Sequence, residues 1–410
     1  MNGRRPVVGI VFDSLGTSAM ELAAAAQDLA DVVWITGWLE EADPVSPRLL
    51  GRLGTVVEHR GIEVDGTVDR LRELGVSGLI AFTDEGLPLA GQLAGELGVI
   101  HNPIGVTSTL CDKLAQRQAA AEAGLRCPRF ATVDRADPYP ALAAVGCPAV
   151  LKPRRGSGSM WTWRIGGEDD LAAALASAPD AEFTVEEFIE GSGAGGPWSD
   201  VLSVESVVVE GDIRHLAATG RLPFAPPFRE TGSFMPSQLR GSQLAEVLDL
   251  AAGSLKAFGV QFGVMHTEVK LSSGGPVLIE VNGRPGGGIH RLMTLLGGPP
   301  LLADALRVAL GMPPVGRTDW RPDRIAFLKW KVPPLTARRI VAVHGLKDVQ
   351  ALAGVEGVAA TRTSGPVDPM GEGFLARVAT VEGTTGSYAE LAEVDQAIER
   401  TITVDFEQSP

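Results

Sequence analysis

The segment Pro276–Gly288 reads PVLIEVNGRPGGG: it begins as a strand and ends in a run of glycines. Side chains two residues apart on a strand share a face. Leu278, Glu280 and Asn282 are therefore predicted to point one way, and the β-branched residues between them to face the core. The first of these faces brings an acid and an amide beside Arg284 and the glycine run.

A second strand brings another acid to the same place. Val264–Leu271 has the composition of a strand, and Ser272–Gly275 has the small residues of a tight turn. A hairpin that turns about Gly274 places Glu268 directly opposite Glu280. Opposed Cβ atoms lie about 5 Å apart, and two bare carboxylates there repel by about 3 kcal/mol at an effective dielectric constant of about 20.

The repulsion between these two acids indicates a bound cation. A hard divalent ion reverses it, and Mg²⁺ prefers carboxylate oxygens together with those of phosphate. The alternative is a pair of glutamates on a solvated sheet face. We interpret Glu268, Glu280, Asn282 and Arg284 together as a metal–phosphate site.

Composition excludes several classes of function. The chain has 410 residues, enough for two or three domains with large cores. Its formal charge of -14 argues against nucleic acid as a partner, because that needs a basic surface. No apolar run is long enough to span a membrane, and the run after Arg5 is too short for a signal peptide. Cys111, Cys127 and Cys147 lack metal-binding spacing and are predicted to be reduced thiols of a cytoplasmic protein.

The two ends of the chain differ in their pattern of predicted helices and strands. Residues 1–104 alternate short apolar runs with helical stretches, which is typical of a parallel sheet with crossover helices. The first strand there ends in DSLG at 13–16 rather than G-x-G-x-x-G, so a dinucleotide-binding fingerprint is absent. From Gly316 onward the pattern predicts a small α+β cap without an acid cluster.

Two lysines and a glycine-rich loop in the middle of the chain point to an anionic ligand. Lys113 lies in the first turn of a predicted helix, where a cation is unfavourable with the helix dipole and hints at an anionic partner. Lys152 ends a strand and precedes the loop Gly156–Ser159, whose backbone N–H groups can bind phosphate. The alternatives are an exposed lysine and a flexible turn. A further loop, 223–236, is of a length that is often functional.

This set of residues resembles a known family. ATP-grasp carboxylate–amine ligases carry, in the same order and spacing, the counterparts of Lys113, Lys152, Glu186–Ile189, Glu268 and Glu280–Arg284. Taken singly these motifs are weak, but the ordered set is specific.

Within that family the chain is most similar to the L-amino-acid ligases that form dipeptides, because of GVMHTEVK at 263–270 and FRETG at 228–232. The resemblance implies an ATP-grasp fold of α/β and α+β type. It also implies a Rossmann-like N-terminal domain at 1–104, an ATP-grasp domain with ATP between two subdomains at 105–314, and an α+β cap at 315–410.

The resemblance further implies a role for each matching residue. Phosphate contacts are expected from Lys113, Lys152, Gly156, Ser157, Gly158 and Ser159. Adenine contacts are expected from Glu186, Glu187, Phe188, Ile189 and Leu278. Asp200 is assigned to the ribose, because the insertion 192–199 intervenes where the family usually places a glutamate.

The same resemblance assigns the metal and the substrates. Mg²⁺, with Mn²⁺ as an alternative, is expected on Glu268, Glu280 and Asn282. Substrate contacts are expected from Arg229, Glu230, His266, Arg284, Gly286 and Gly287.

The implied reaction needs no nucleophilic side chain. The γ-phosphoryl group of ATP passes to a carboxylate, and an amine then attacks the acyl phosphate. The protein contributes positioning and charge neutralisation, with Lys152, Asn282 and Arg284 as the predicted catalytic residues. We therefore predict a ligase for small carboxylate and amine substrates, as in the making of dipeptide natural products. A homodimer is expected from the resemblance and from the Ala/Leu-rich N-terminal helices.

Other functions stay open at this point. One is an ATP-grasp carboxylase or nucleotide-biosynthesis ligase that uses bicarbonate or formate. Another is a nucleotide-binding module without turnover, and the complete Glu/Glu/Asn/Arg set counts against it. A Rossmann oxidoreductase is a third, and the missing G-x-G-x-x-G counts against that.

Overall fold

The computed structural model describes residues 5–38, 45, 47–61 and 63–408. Its N-terminal part is a parallel sheet with crossover helices, as predicted. The elements are β1 (Val7–Val11), α1 (Ala19–Ala26), β2 (Asp31–Thr36), α2 (Pro47–Leu53), β3 (Thr55–Glu58), α3 (Val64–Glu73), β4 (Val76–Ala81) and α4 (Leu87–Leu97). The strands run parallel in the order β3-β2-β1-β4. Ile10 and Trp34 are fully buried, because both faces of such a sheet are covered.

A small antiparallel sheet follows. The elements are α5 (Ile104–Leu110), α6 (Lys113–Glu122), β5 (Phe130–Thr132), α7 (Tyr139–Val145), β6 (Ala149–Pro153), β7 (Trp163–Ile165), α8 (Glu168–Ser177) and β8 (Phe183–Glu187). The strand order is β5-β8-β6-β7. Adjacent β6 and β8 pair Val150 with Glu186 and Lys152 with Thr184. This pairing brings Lys152 and Glu186 together.

The largest sheet of the described residues has eight strands in the order β13-β12-β9-β10-β11-β14-β18-β16. Its first part comprises β9 (Val201–Val209), β10 (Asp212–Arg221), β11 (Gly232–Met235), α9 (Gly241–Ala257), β12 (Phe262–Ser272), β13 (Gly275–Asn282), α10 (Ile289–Leu295) and α11 (Leu301–Ala309). The elements that follow are β14 (Ile325–Lys331), β15 (Ala337–His344), α12 (Leu346–Gln350), β16 (Val355–Ala360), β17 (Gly365–Pro366), a 3₁₀ turn (Gly373–Ala376), β18 (Ala379–Thr385), α13 (Tyr388–Thr401) and β19 (Thr403–Gln408).

The C-terminal segment has the predicted α+β character, but its strands extend the large sheet. β14 pairs with β11, and β18 lies between β14 and β16. Phe234 of β11, Phe327 of β14 and Leu391 of α13 belong to one buried cluster. The remaining strands form the sheet β17-β15-β19. Within the described ranges, no helix has both the length and the apolar character needed to cross a membrane.

The β12–β13 hairpin sets Glu268 opposite Glu280, as predicted. Its turn is tighter than expected, because Ser272 already pairs with Gly275. With so short a turn and a regular ladder, the two acids would not face each other. A register shift along the hairpin is what brings them together.

That shift is a β-bulge. Val269 pairs with Leu278, whereas Glu268 pairs with Glu280, so Ile279 is the extra residue between them. A bulge leaves one residue unpaired and re-aims the side chains around it. The strict alternation predicted for β13 is therefore broken at Ile279.

Candidate active site

Two adjoining cavities hold most of the predicted site residues. The small cavity, about 180 Å³, lies between the small antiparallel sheet and β12–β13. The large cavity, about 630 Å³, lies between the N-terminal domain, α10 and the C-terminal segment. Six residues line both: Ser157, Gly158, Met160, Glu230, Glu268 and Arg284.

The small cavity gathers residues from five separate parts of the chain. Those among its lining that the sequence predicted are Lys113, Lys152, Gly156, Ser157, Gly158, Ser159, Glu186, Glu187, Phe188, Ile189, Glu230, Glu268, Glu280, Asn282 and Arg284. The large cavity is lined by predicted residues that include His266 and Gly287.

Lys113 and Lys152, two of the three lysines that line the small cavity, already have carboxylate partners. Lys113 follows Asp112, which caps α6 by accepting from the Leu114 backbone N–H at 3.0 Å. The Lys113 Nζ lies 3.0 Å from Glu280 Oε1 and 2.5 Å from the Gly156 carbonyl oxygen. Burial lowers the pKa of Lys113, but the Glu280 carboxylate outweighs that effect and raises it above its usual value.

The carboxylate of Glu186 is held by two cations. Its Oε2 lies 2.9 Å from Lys152 Nζ and 3.1 Å from Arg117 NH2. Burial raises the pKa of Glu186, yet Arg117 and Lys152 together bring it below its usual value. The other oxygen, Oε1, is buried without a hydrogen-bond partner.

Sequence reasoning missed Arg117, although a signal was present. Arg117 lies four residues after Lys113 on α6, so both share one helix face. The Arg117 side chain is fully buried and also donates to the Ile279 carbonyl. It thereby ties α6 to both sheets that flank the small cavity.

Arg284 is anchored by an acid of the N-terminal domain that was also missed. Its Nε donates to Asp84 Oδ2 at 3.0 Å, and its NH2 donates to the same oxygen. The Arg284 NH2 also lies 3.5 Å from Asn282 Oδ1. Asp84 follows the carboxyl end of β4, which is where open α/β sheets place ligand-binding side chains. Burial lowers the pKa of Arg284, and Asp84 more than restores it.

A chain of alternating charges runs through the wall that separates the cavities. His266 Nδ1 lies 2.5 Å from Glu205 Oε1, and its Nε2 lies 3.2 Å from Glu268 Oε1. Arg221 NH2 is 3.8 Å from the same Glu268 oxygen, and Arg221 Nε is 3.5 Å from Glu230 Oε1. Glu205 and Arg221 come from β9 and β10 and were not predicted.

The groups in this chain of charges differ in the direction in which their pKa values are shifted. Burial lowers the pKa of His266, but Glu205 and Glu268 raise it to about 9. Burial raises the pKa of Glu268, but His266 and Arg221 lower it to about 2. Glu230 behaves differently: burial raises its pKa, and Arg221 offsets that rise only in part. Near neutral pH the Glu268 carboxylate and the His266 imidazolium are therefore both charged.

Glycines allow the backbone to approach this charged wall closely. The Gly286 backbone N–H donates to Glu205 Oε2 at 3.4 Å. A Cβ atom at Gly286 would lie 2.3 Å from His266 Nδ1, so a side chain there would displace the imidazole. Gly287 has open space around it and lines the large cavity.

The loop Gly156–Ser159 closes over the boundary between the cavities. Gly156 and Gly158 have φ values of 132° and 63°, which favour glycine. Ser157 Oγ donates to Glu85 Oε1 at 3.3 Å, and the Phe374 backbone N–H donates to the Gly158 carbonyl at 2.9 Å. The loop thus contacts both the N-terminal domain and the C-terminal segment.

The structure does not bring Arg229 to either cavity, whereas Glu230 lines both. The Arg229 side chain is buried, and it donates to the carbonyl oxygens of Pro226 at 3.0 Å and Pro333 at 2.5 Å. A proline-rich loop has few backbone N–H groups of its own. The guanidinium supplies donors to its carbonyl groups and so acts as a brace.

The structure does not bring Leu278 or Asp200 to either cavity. Leu278 is fully buried in the core beneath β13, and Ile279 lines the small cavity instead, because the bulge breaks the alternation. Asp200 accepts from the Gly193 and Gly195 backbone N–H groups at 3.1 and 2.9 Å. Its carboxylate is committed to the inserted loop, and it lines neither cavity.

The arrangement of acids around the small cavity suits a metal held jointly with a ligand. Among the described residues, no group of three or more His, Cys, Asp and Glu side chains is placed to hold a metal by itself. Glu268, Glu280 and Asn282 nevertheless all line the small cavity and offer hard oxygen donors. Mg²⁺ usually takes one or two protein carboxylates and completes its shell with phosphate and water. The donor set therefore fits such an ion.

Comparisons with known proteins give relatives that include a synthase and ligases. No protein-family model matches the sequence. Carnosine synthase 1 of Gallus gallus is 31% identical over 188 residues, which is 43% of this chain and 20% of that protein. The D-alanine–D-alanine ligase of Cupriavidus necator is 26% identical over 262 residues, 58% of this chain and 77% of that enzyme. The chain spans less than two thirds of the length of the first curated relatives that it matches.

Solved structures share the whole fold at low identity. The L-amino acid ligase of Bacillus licheniformis superposes with a TM-score of 0.77 at 19% identity, covering 99% of this chain and 100% of that one. The biotin carboxylase domain of the 2-oxoglutarate carboxylase of Hydrogenobacter thermophilus, solved with MgADP and bicarbonate, gives a TM-score of 0.68 at 15% identity over 98% and 90% of the two chains. The predicted resemblance is confirmed: this chain has the ATP-grasp fold, and its relatives in sequence include ATP-grasp ligases.

Proposed function

We propose that this protein is an ATP-dependent ligase that joins a carboxylate, that of an amino acid, to an amine. The products would be an amide or dipeptide, ADP and phosphate. One observation carries the proposal: a cavity with the features of a nucleotide-phosphate site opens, across Glu268 and Arg284, into a second and larger cavity. A phosphoryl donor on one side and an acid on the other would meet at these two side chains.

The small cavity fits ATP in its charges and its free polar atoms. Lys113 and Lys152 would neutralise phosphate oxygens, with the N–H groups of the Gly156–Ser159 loop beside them. The unpartnered Glu186 Oε1 is an acceptor for the adenine amino group. The backbone of Glu187–Ile189 would read the edge of the base.

A metal would be held by Glu268, Glu280 and Asn282. When bound, Mg²⁺ supplies charge neutralisation for phosphate oxygens. The Lys113 Nζ, which lies 3.0 Å from Glu280 Oε1, would hold that carboxylate in place. His266 and Arg221 do the same for Glu268.

The chain's own residues account for the two steps. In the first, a carboxylate oxygen attacks the γ-phosphorus and the bond to ADP breaks, with Lys152 beside the phosphates. In the second, the amine attacks the acyl carbon and the bond to phosphate breaks. Arg284 is placed to stabilise the oxyanion of that step, and Asp84 fixes its orientation. Glu230, whose pKa burial raises, is suited to hold the ammonium group and accept its proton.

The size of the large cavity is that expected for the two substrates of an amino-acid ligase. Its volume of about 630 Å³ falls in the range of pockets for drug-sized ligands, roughly 300–1,000 Å³. Such a space suits an acid and an amine held together, and far exceeds what a one-carbon acid needs. A homodimer and a cytoplasmic location are part of the proposal, supported by the family resemblance.

A phosphate-release screen tests the function directly. The protein, ATP and Mg²⁺ would be combined with pairs of amino acids, and separately with bicarbonate or formate plus an amine. Release that requires two amino acids, with a matching condensation mass in the product, supports the proposal. Release that requires only bicarbonate assigns the carboxylase alternative, and ATP binding without release under any condition assigns the nucleotide-binding module.

We expect Glu230→Gln to raise the KM for the amine substrate by about 10-fold or more, because a charged hydrogen bond to the ammonium group is lost. The affinity for ATP should stay within about twofold, since Gln keeps an acceptor for Arg221. Steady-state kinetics with each substrate varied in turn give both values. A parallel fall in both affinities would mean that the 223–236 loop has only a structural role.

We expect trypsin to cut after Arg155 in the protein alone and to be slowed by MgATP. Arg155 is exposed and directly precedes the Gly156–Ser159 loop. The small cavity, at about 180 Å³, is below the usual size of a ligand pocket, so the loop has to move to admit ATP. Cleavage after exposed Arg317, which lies outside both cavities, serves as the internal control. Equal rates at Arg155 with and without nucleotide would contradict a mobile lid.

A further inference from the structure

The large cavity contains one cation that lacks a carboxylate partner. The other basic side chains of the lining each have a carboxylate partner: Arg221 with Glu230, His266 with Glu205, Arg284 with Asp84, His290 with Glu21, and Arg291 with Glu382. Arg377 lines the same cavity, and among the described residues no carboxylate oxygen lies within 4.0 Å of its guanidinium.

The guanidinium of Arg377 is nevertheless held in a defined place. Its Cζ lies 4.1 Å from the ring centroid of Phe374, and its NH1 donates to the Phe374 carbonyl at 3.4 Å. Phe374 in turn packs edge-on against Trp330, with 4.5 Å between ring centroids. Stacking fixes the plane of a guanidinium and leaves the N–H groups along its edge available for a carboxylate.

The position of Arg377 separates it from the phosphoryl-transfer end. Arg377 does not line the small cavity, whereas Glu268 and Arg284 line both. The acid that becomes phosphorylated has to reach the shared boundary, which Arg284 lines. A second cation, partly withdrawn from water in the C-terminal segment, suits a second acidic group.

The fate of each carboxylate during amide formation identifies that second group. The acyl donor loses its carboxylate, because that group becomes the amide carbonyl. An amino acid that attacks with its amine keeps its own carboxylate throughout the reaction. A simple amine has no such group and would leave Arg377 without a counter-ion in a partly buried site, which is unfavourable.

We propose that Arg377, stacked on Phe374, binds the carboxylate of the attacking substrate, so that this substrate is an amino acid or peptide rather than a simple amine. The inference rests on the proposed ligase function and adds its acceptor class. Arg377 selects the acceptor from the C-terminal segment, while Glu268 and Arg284 act on the donor.

The test compares amino-acid acceptors with their carboxamides. Each of the twenty amino acids and its carboxamide would serve as acceptor in the wild-type protein and in Arg377→Met, Arg377→Lys and Arg339→Met. Methionine keeps an apolar contact with Phe374, lysine keeps the charge, and Arg339 is an exposed control on β15 that lines neither cavity. The KM of acceptor, donor and ATP would be measured from ADP release, and the melting temperature would check folding.

We expect Arg377→Met to raise the KM for the amino-acid acceptor about 10- to 100-fold, as the loss of a charge-assisted hydrogen-bonded pair implies. The KM for ATP and donor should not change, carboxamides should be used equally poorly by both proteins, and Arg377→Lys should recover part of the loss. Wild-type protein that uses carboxamides as well as amino acids overturns the inference alone. A rise in the donor KM instead, or no change in any KM, does the same. If no pair of acid and amine supports ADP release, the ligase function is overturned, and this inference with it.

Discussion

Glu280→Gln is expected to lower the rate of phosphate release by about 10²–10³. This is the usual effect of removing one preorganised charge that stabilises a transition state, here that of phosphoryl transfer. Glu280 is one of two carboxylates available for a metal in the small cavity, and Mg²⁺ tolerates few substitutes for a charged oxygen ligand. An amide at this position offers an oxygen without the charge. Initial rates at saturating ATP and Mg²⁺ give the comparison.

The melting temperature of the same variant should report on the contacts that Glu280 makes. Glu280 is the partner of buried Lys113, so its replacement is expected to lower the melting temperature in the absence of nucleotide. The rise in melting temperature that MgATP causes through ligand linkage should be lost as well. Glu399→Gln is the matched control, because it removes a similar contact, 2.6 Å from Lys331 Nζ, away from both cavities. Parental turnover in Glu280→Gln would remove the metal assignment.

Arg284→Lys is expected to reduce kcat by about 10²–10³ while the affinity for ATP stays close to parental. Lysine keeps the charge but not the planar fork, and it cannot reproduce the paired contacts to Asp84. Keeping the charge also avoids leaving buried Asp84 without a cation. Burst kinetics would show ADP formed in the first step but slow amide release.

Two further variants separate the role of Arg284 from a general loss of packing. Asp84→Asn keeps Arg284 but weakens its anchor, so kcat should fall less, by roughly 10-fold. Arg317→Lys breaks an exposed Arg–Asp pair of similar geometry, with contacts of 2.9 and 2.8 Å, and should leave kcat unchanged. An Arg284→Lys protein with parental kcat would mean that Arg284 is only an anchor for the N-terminal domain.

Prediction from the sequence succeeded where residues close together in the chain determine the local structure. The parallel N-terminal sheet follows from short apolar runs and the helices between them. The metal-site acids follow from one hairpin, since Glu268 and Glu280 are close in the chain and opposite in the ladder. The bulge at Ile279 was not predicted, because a bulge depends on how the partner strand pairs, and Leu278 was assigned to the wrong face as a result.

Residues that act across long sequence distances could not be found in the same way. Asp84 meets Arg284 only because the N-terminal domain packs against β13, and Glu205 meets His266 only because β9 lies beside β12. Asp200 and Arg229 lie away from both cavities for a related reason. Their charges satisfy backbone groups of nearby loops, and a sequence shows the charge but not the competing partner.

The pairing of β11 with β14 ties substrate choice to the folding of the whole chain. Cutting the chain before β14 would leave the edge of β11 unpaired, and a bare strand edge invites aggregation. It would also remove Trp330, Phe374 and Arg377 from the wall of the large cavity. A chimera that takes its whole C-terminal segment from a relative would therefore also need the β11 of that relative, so that β11 and β14 still match. Point changes within the large cavity would alter its lining without disturbing this pairing, and are therefore the simpler route to a changed specificity.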